Sequence, residues 1–197
     1  MKILVLVSGN GTNLQALIDA EQRNLLGKGE IIGVVSDRAD VFALERATRV
    51  GIPVFVEEPN RNLPKIKRRL ELSNRILQRA RAMNADLIVY AGFLSILSGE
   101  LISVFASRMI NIHPSLLPKF GGEGMFGDRV HAAVLAAGET DSGCTVHFVD
   151  AGVDAGTIIL QRRVPILPGD TPETLAERIH KEEHIAIVEA VAKLAGV

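Results

Sequence analysis

Short apolar runs and helically spaced apolar positions alternate along nearly the whole chain. Ile3–Val7 is a continuous apolar run of the length expected of a strand buried on both faces, and Ile31–Val35 is a second. Pro53–Val56, Leu87–Tyr90 and Met109–Ile112 continue the series, and Cys144–Val149 and Thr157–Val164 close it. Between these runs apolar positions recur at helical spacing: Leu14, Leu17 and Ile18, then Val41–Val50, the long basic stretch Leu63–Met83, Ser98–Phe105, Val130–Ala137 and Pro172–Leu194. Asp40 is placed to cap the second helix, which Gly51 stops. Asp170 and Glu173 fit a capping box for the last helix, with Pro172 opening it. The pattern breaks from Pro114 to Arg129, where two prolines and four glycines predict a long loop. Long loops inside compact domains are often functional.

Strands alternating with helices imply an α/β fold of three layers, α/β/α, around a mostly parallel sheet of about seven strands. The last two strands are separated by about seven residues, too few for a parallel crossover, so one of them runs antiparallel. No linker or internal repeat interrupts the series, and residues 1–197 read as a single domain. In such sheets ligands sit beyond the carboxyl ends of the strands. That rule directs attention to the polar segments 8–13, 93–98, 111–115 and 150–156.

Composition narrows the classes. With 22 Lys and Arg against 23 Asp and Glu, the net charge is −1, a poor balance for a general nucleic-acid or membrane-surface binder. The single cysteine, Cys144, excludes an internal disulfide and fits a reduced, cytoplasmic setting. No signal peptide and no apolar run of membrane-spanning length is visible. Seven Phe, one Tyr and no Trp leave few rings to stack on a flat ligand; Phe93 and Phe148 are the ones nearest the polar segments in sequence.

Gly9-Asn10-Gly11-Thr12-Asn13 joins a strand to a helix amino terminus, where free backbone N–H groups and the helix dipole suit a phosphate. Leu14 stands where a dinucleotide fingerprint needs glycine, and the lysine of a nucleoside-triphosphate loop is absent. A bare tight turn is the bland alternative. Asn111 and His113 project from one face of their strand, offering an oxyanion donor and a group that titrates near neutrality; a structural histidine fits the same position. Asp150–Gly156 sets glycines around Asp154 and fits either a carboxylate brought close to a ligand or a simple turn. His180-Lys181-Glu182-Glu183-His184 has the spacing of one class of zinc hydrolase but supplies no third ligand. The basic run from Arg61 to Arg81 reads as a solvated helix face, or as a seat for an anionic tail.

Taken together the segments resemble the phosphoribosylglycinamide formyltransferases, folate-dependent enzymes of purine synthesis. The resemblance runs from Met1 to about Leu194 and rests on residues 8–13 (SGNGTN), 91–98 (AGFLSILS), 111–119 (NIHPSLLPK), 147–150 (HFVD) and 153–156 (VDAG). The 111–119 segment alone admits any folate formyl transferase or a formyltetrahydrofolate hydrolase; the first loop narrows the match. The resemblance implies a Rossmann-like sheet of seven strands and 10-formyltetrahydrofolate as co-substrate, with no metal. It implies small-molecule partners, neither nucleic acid nor membrane, and a monomer or homodimer. It implies Asn111, His113 and Asp154 as the catalytic set, with His113 kept protonated by Asp154. It places the substrate on Gly11, Thr12, Asn13 and Glu183. It assigns the folate to Arg69, to Leu94, Ser95, Ile96 and Leu97, to Asn111, and to Ala151, Gly152, Val153, Asp154, Ala155 and Gly156. Two departures stand out. Ser95 takes a position where many members have arginine, and residues 120–130 form a longer segment than the common one, which clouds the role of His131. A zinc hydrolase using His180 and His184, and a phosphate-binding module without catalysis, are the alternatives from other classes.

Overall fold

A computed structural model describes residues 1–196. Its seven strands are β1 (Lys2–Val7), β2 (Glu30–Ser36), β3 (Val54–Val56), β4 (Leu87–Tyr90), β5 (Met109–His113), β6 (Asp141–Phe148) and β7 (Ile158–Pro165). Its helices are α1 (Thr12–Gln22), α2 (Phe42–Arg49), α3 (Lys65–Ala82), α4 (Glu100–Val104), α5 (Asp128–Ala136) and α6 (Pro172–Leu194). The strands form one sheet in the order β3-β2-β1-β4-β5-β6-β7. All pairs are parallel except β5–β6 and β6–β7, so β6 is the single reversed strand.

The continuous apolar runs are explained by helices on both faces. Ile3, Val5 and Val7 pack with Leu14 and Leu17 of α1, Ala43 and Ala47 of α2, Val130 of α5 and Ile187 of α6. Leu4 and Leu6, pointing the other way, pack with Leu72 and Ile76 of α3 and Leu101 of α4. From β1 the chain winds one way to β2 and β3 and the other way to β4 and β5, which opens a crevice at the carboxyl ends of β1 and β4. One rung of the sheet crosses that point: Leu6 pairs with Tyr90, Tyr90 with Asn111, and Asn111 with His147.

Two caps differ from expectation. Asp40 is exposed and does not cap α2; Val41 holds the N-cap position, and the α2 amide of Ala43 donates instead to the Gly9 carbonyl at 3.2 Å. At α6 the reciprocal box is between Thr171 and Thr174. Asp170 stands beside it, accepting the Thr174 hydroxyl at 2.9 Å and two Arg178 contacts at 2.8 and 2.9 Å, and neither Asp170 nor Glu173 makes the box.

Candidate active site

A cleft of about 930 Å³ lies at the crevice. Its floor is the polar end of β5. Met109, Asn111 and His113 share one face of that strand; Met109 is covered by the α3–α4 layer, whereas Asn111 and His113 line the cleft. The sheet's order brings three loops to it: 9–13 after β1, 91–97 after β4, and 149–154 between β6 and β7. Residues 122–128 of the long loop form the remaining side.

Asp154 gathers the centre. Its Oδ2 stands 3.5 Å from His113 Nδ1 and accepts the Gly122 amide at 3.0 Å; its Oδ1 faces the Asn111 amide at 3.4 Å and His147 Nε2 at 3.6 Å. Asp154 holds a left-handed backbone, φ 55°, a conformation that Asp tolerates better than most residues. Burial by itself raises its carboxyl, but the His147 contact, the His113 ring and the Gly122 amide outweigh it, and Asp154 stays below its ordinary value.

Burial lowers the pKa of His113 more than Asp154 and the Phe120 carbonyl raise it, which works against the protonated ring that the resemblance implies. Its Nε2 faces the Phe120 carbonyl at 2.8 Å and its Nδ1 the Asp154 carboxylate at 3.5 Å, an acceptor on each side. His147 Nδ1 faces the Phe148 carbonyl at 2.8 Å, and its Nε2 faces Asn111 Nδ2 at 3.2 Å and Asp154 Oδ1 at 3.6 Å. Asn111 thus turns its amide to His147 at 3.2 Å and, less closely, to Asp154 at 3.4 Å.

At one end of the cleft Gly11, Thr12 and Asn13 open α1, with Gly11 at φ 76°. Glu183 of α6 lies beside Asn13, only 5% exposed, and burial pushes its carboxyl up to about 7 despite the opposing pull of the Asn13 amide. At the other end Leu94, Ser95, Ile96 and Leu97 face Val149, Ala151, Gly152 and Val153 across the cleft.

Several expected residues are placed otherwise. Ala155 and Gly156 lie behind the wall rather than on it, because Gly156 packs against the Phe148 carbonyl so tightly that a Cβ there would meet that oxygen at 1.8 Å. Arg69 does not line the cleft; its guanidinium donates to Glu123 at 2.8 Å, and Lys65 grips the same carboxylate oxygen. The Ser95 hydroxyl donates to Asp37 at 2.6 Å. Phe148 packs on the α1–α6 side of the core, and the rings on the cleft are Tyr90, Phe93 and Phe126. His180 lines this cleft, whereas His184 lines a separate groove between α1 and α6, so the pair does not converge on one point. His147 was not singled out from sequence as a site residue. Its signal was the HFVD segment on a strand whose antiparallel partner carries Asn111.

A model of the formyl transferase family matches residues 1–191. The chain is 49% identical over 200 residues to the trifunctional purine biosynthetic protein adenosine-3 of Drosophila pseudoobscura pseudoobscura, covering 99% of this chain and 14% of that protein. It is 39% identical over 184 residues to the phosphoribosylglycinamide formyltransferase of Escherichia coli, covering 93% of this chain and 82% of that one. The glycinamide ribonucleotide transformylase 1 of Symbiobacterium toebii superposes with a TM-score of 0.88 at 40% identity, over 99% of this chain and 87% of its own. The chain spans only 14% to 18% of the trifunctional proteins it matches.

Proposed function

Because the chain belongs to the formyl transferase family, we propose that it transfers the formyl group of 10-formyltetrahydrofolate to the amine of glycinamide ribonucleotide. The observation that carries the reading is the convergence of Asn111, His113 and Asp154 midway along one cleft, between a helix amino terminus and an apolar slot. The helix end suits the nucleotide's phosphate. The slot between 94–97 and 149–153 suits a flat ring held by aliphatic side chains and backbone groups. The names of the Escherichia coli and Symbiobacterium toebii proteins point to the same substrate.

Formyl transfer makes one carbon–nitrogen bond and breaks another, with a proton leaving the attacking nitrogen and another reaching the departing one. Asn111 meets the negative charge that develops on the formyl oxygen. The amide hydrogen now turned to Asp154 is the one free to do so, because its 3.4 Å contact is longer than an ordinary hydrogen bond. His113 takes up the proton of the attacking nitrogen and passes it to the departing one, and the Asp154 carboxylate stabilises the imidazolium between the two transfers. Glu183 and Asn13 hold the substrate beside the phosphate loop. Cys144, free and buried with its thiol pushed up to about 12, is inert and fits the reducing cytoplasm. Among the described residues no helix is long and apolar enough to cross a membrane.

The test is direct. Purified protein with both substrates yields formylated product, and none when either is withheld. Consumption of the formyl donor with water alone would assign the chain to a hydrolase. Binding of both ligands without turnover would reduce it to a binding module.

A further inference from the structure

Among the described residues the cleft wall holds no lysine or arginine, and five of its side chains are carboxylic: Glu123, Asp128, Asp150, Asp154 and Glu183. A cleft so furnished repels a phosphate, and the helix dipole of α1, worth about half a charge, is a weak counterweight. The structure points to Arg46, outside the wall, as the missing cation.

Arg46 stands on α2 directly behind the phosphate loop. Its Nε donates to the Asn10 carbonyl at 2.8 Å and its Nη2 to the Asn10 side-chain oxygen at 3.0 Å, a two-pronged grip on one residue. Its third nitrogen, Nη1, donates to Gln15 of α1 at 3.0 Å. The guanidinium therefore ties the loop to the helix whose amino terminus it opens. One turn back, Phe42 stacks on it, with 4.6 Å from the guanidinium carbon to the ring centroid. The same helix touches the loop twice more: Ala43 N–H donates to the Gly9 carbonyl, and a Cβ on Gly11 would come within 2.6 Å of the Ala43 methyl. Lysine could supply the charge but not the planar fork.

We propose that Arg46 is the positioning residue of the phosphate site. It fixes Asn10, and so the N–H groups of Gly11, Thr12 and Asn13, and it lends them positive charge without entering the cleft. This rests on the reading that the substrate's phosphate occupies that loop.

The test compares KM for the phosphorylated amine with KM for the same amine lacking its phosphate, in wild type, Arg46→Ala and Arg46→Lys, with melting temperatures measured alongside. Arg46→Ala raises KM for the phosphorylated amine about tenfold and lowers kcat far less; KM for the dephosphorylated amine and for the formyl donor stays within twofold. Arg46→Lys lies between, and serves alone if the alanine variant does not fold. Wild type that does not distinguish the two amines would overturn the phosphate reading itself. Wild type that does, with an Arg46→Ala that keeps the preference or loses both amines equally, would overturn the role of Arg46.

Discussion

His113 Nδ1 stands 3.5 Å from Asp154 Oδ2 while its Nε2 faces the Phe120 carbonyl at 2.8 Å, so both ring nitrogens look onto acceptors. Burial pulls the ring's pKa down while the Asp154 carboxylate pulls it up, so the pair is balanced to exchange a proton. Asp154→Asn removes the charge that would stabilise the protonated ring. Asparagine accepts the left-handed backbone at 154, so the fold stays intact. We expect kcat to fall about 10²–10⁴-fold, the usual scale for a lost acid–base partner, with the melting temperature little changed. Near-normal kcat would take Asp154 out of the chemistry.

Stability responds to pH in two opposed ways. Burial lowers the pKa of His113, His131 and His184 in the fold. Protonation therefore favours the unfolded chain, and stability present above the ordinary histidine value of 6.5 is lost as the pH falls below it. Glu183 works in reverse: its carboxyl rises from 4.5 to about 7, so its contribution is complete at low pH and lost as the pH climbs through about 7. Glu183→Gln should gain on wild type above pH 7, by about 3 kcal/mol at most given ~1.4 kcal/mol per unit. Melting curves of the two proteins from pH 5 to 9 check this, and parallel curves would contradict it.

Glu123 occupies Lys65 and Arg69 with a carboxylate of the chain's own. Those cations hold its carboxyl below the ordinary value. Glu123→Gln frees both for an acidic tail of the formyl donor. KM for that donor should fall about two- to fivefold, the range of an exposed ion pair, and KM for the amine should not move. A rise in donor KM would mean that Glu123 orients Arg69 instead of competing for it.

Gly156 has no room for a methyl group, because the Phe148 carbonyl would sit 1.8 Å from it. Gly156→Ala must push the 150–156 loop outward, two residues from Asp154. The expected result is a loss of about 1–3 kcal/mol of stability together with most of kcat, measured by denaturation and steady-state rates. Wild-type activity would show that the loop's seat does not matter.

Much of this was legible in the residues. Seven apolar runs marked the seven strands, and the period of two placed Asn111 and His113 on one face. The short link before Ile158 required a reversed strand. What stayed hidden depends on partners distant in sequence. His147 joins the site through the β5–β6 register, Arg69 is diverted by Glu123 from a loop 54 residues away, and α2 is started by the Gly9 carbonyl rather than by Asp40. The balance at His113 was hidden too, since it sets burial against a neighbouring carboxylate and only packing fixes the former.

The rung that runs Leu6, Tyr90, Asn111, His147 carries a consequence for proofreading of the fold. A slip of one residue by β6 along β5 would turn His147 toward the α1–α6 layer and bring Cys144 and Val146 out onto the cleft face. The misaligned chain would bury an imidazole and expose two apolar side chains of the core, so it could not be both inactive and well folded. Errors of alignment in this sheet should be visible to a chaperone or protease as instability before they are visible as lost activity.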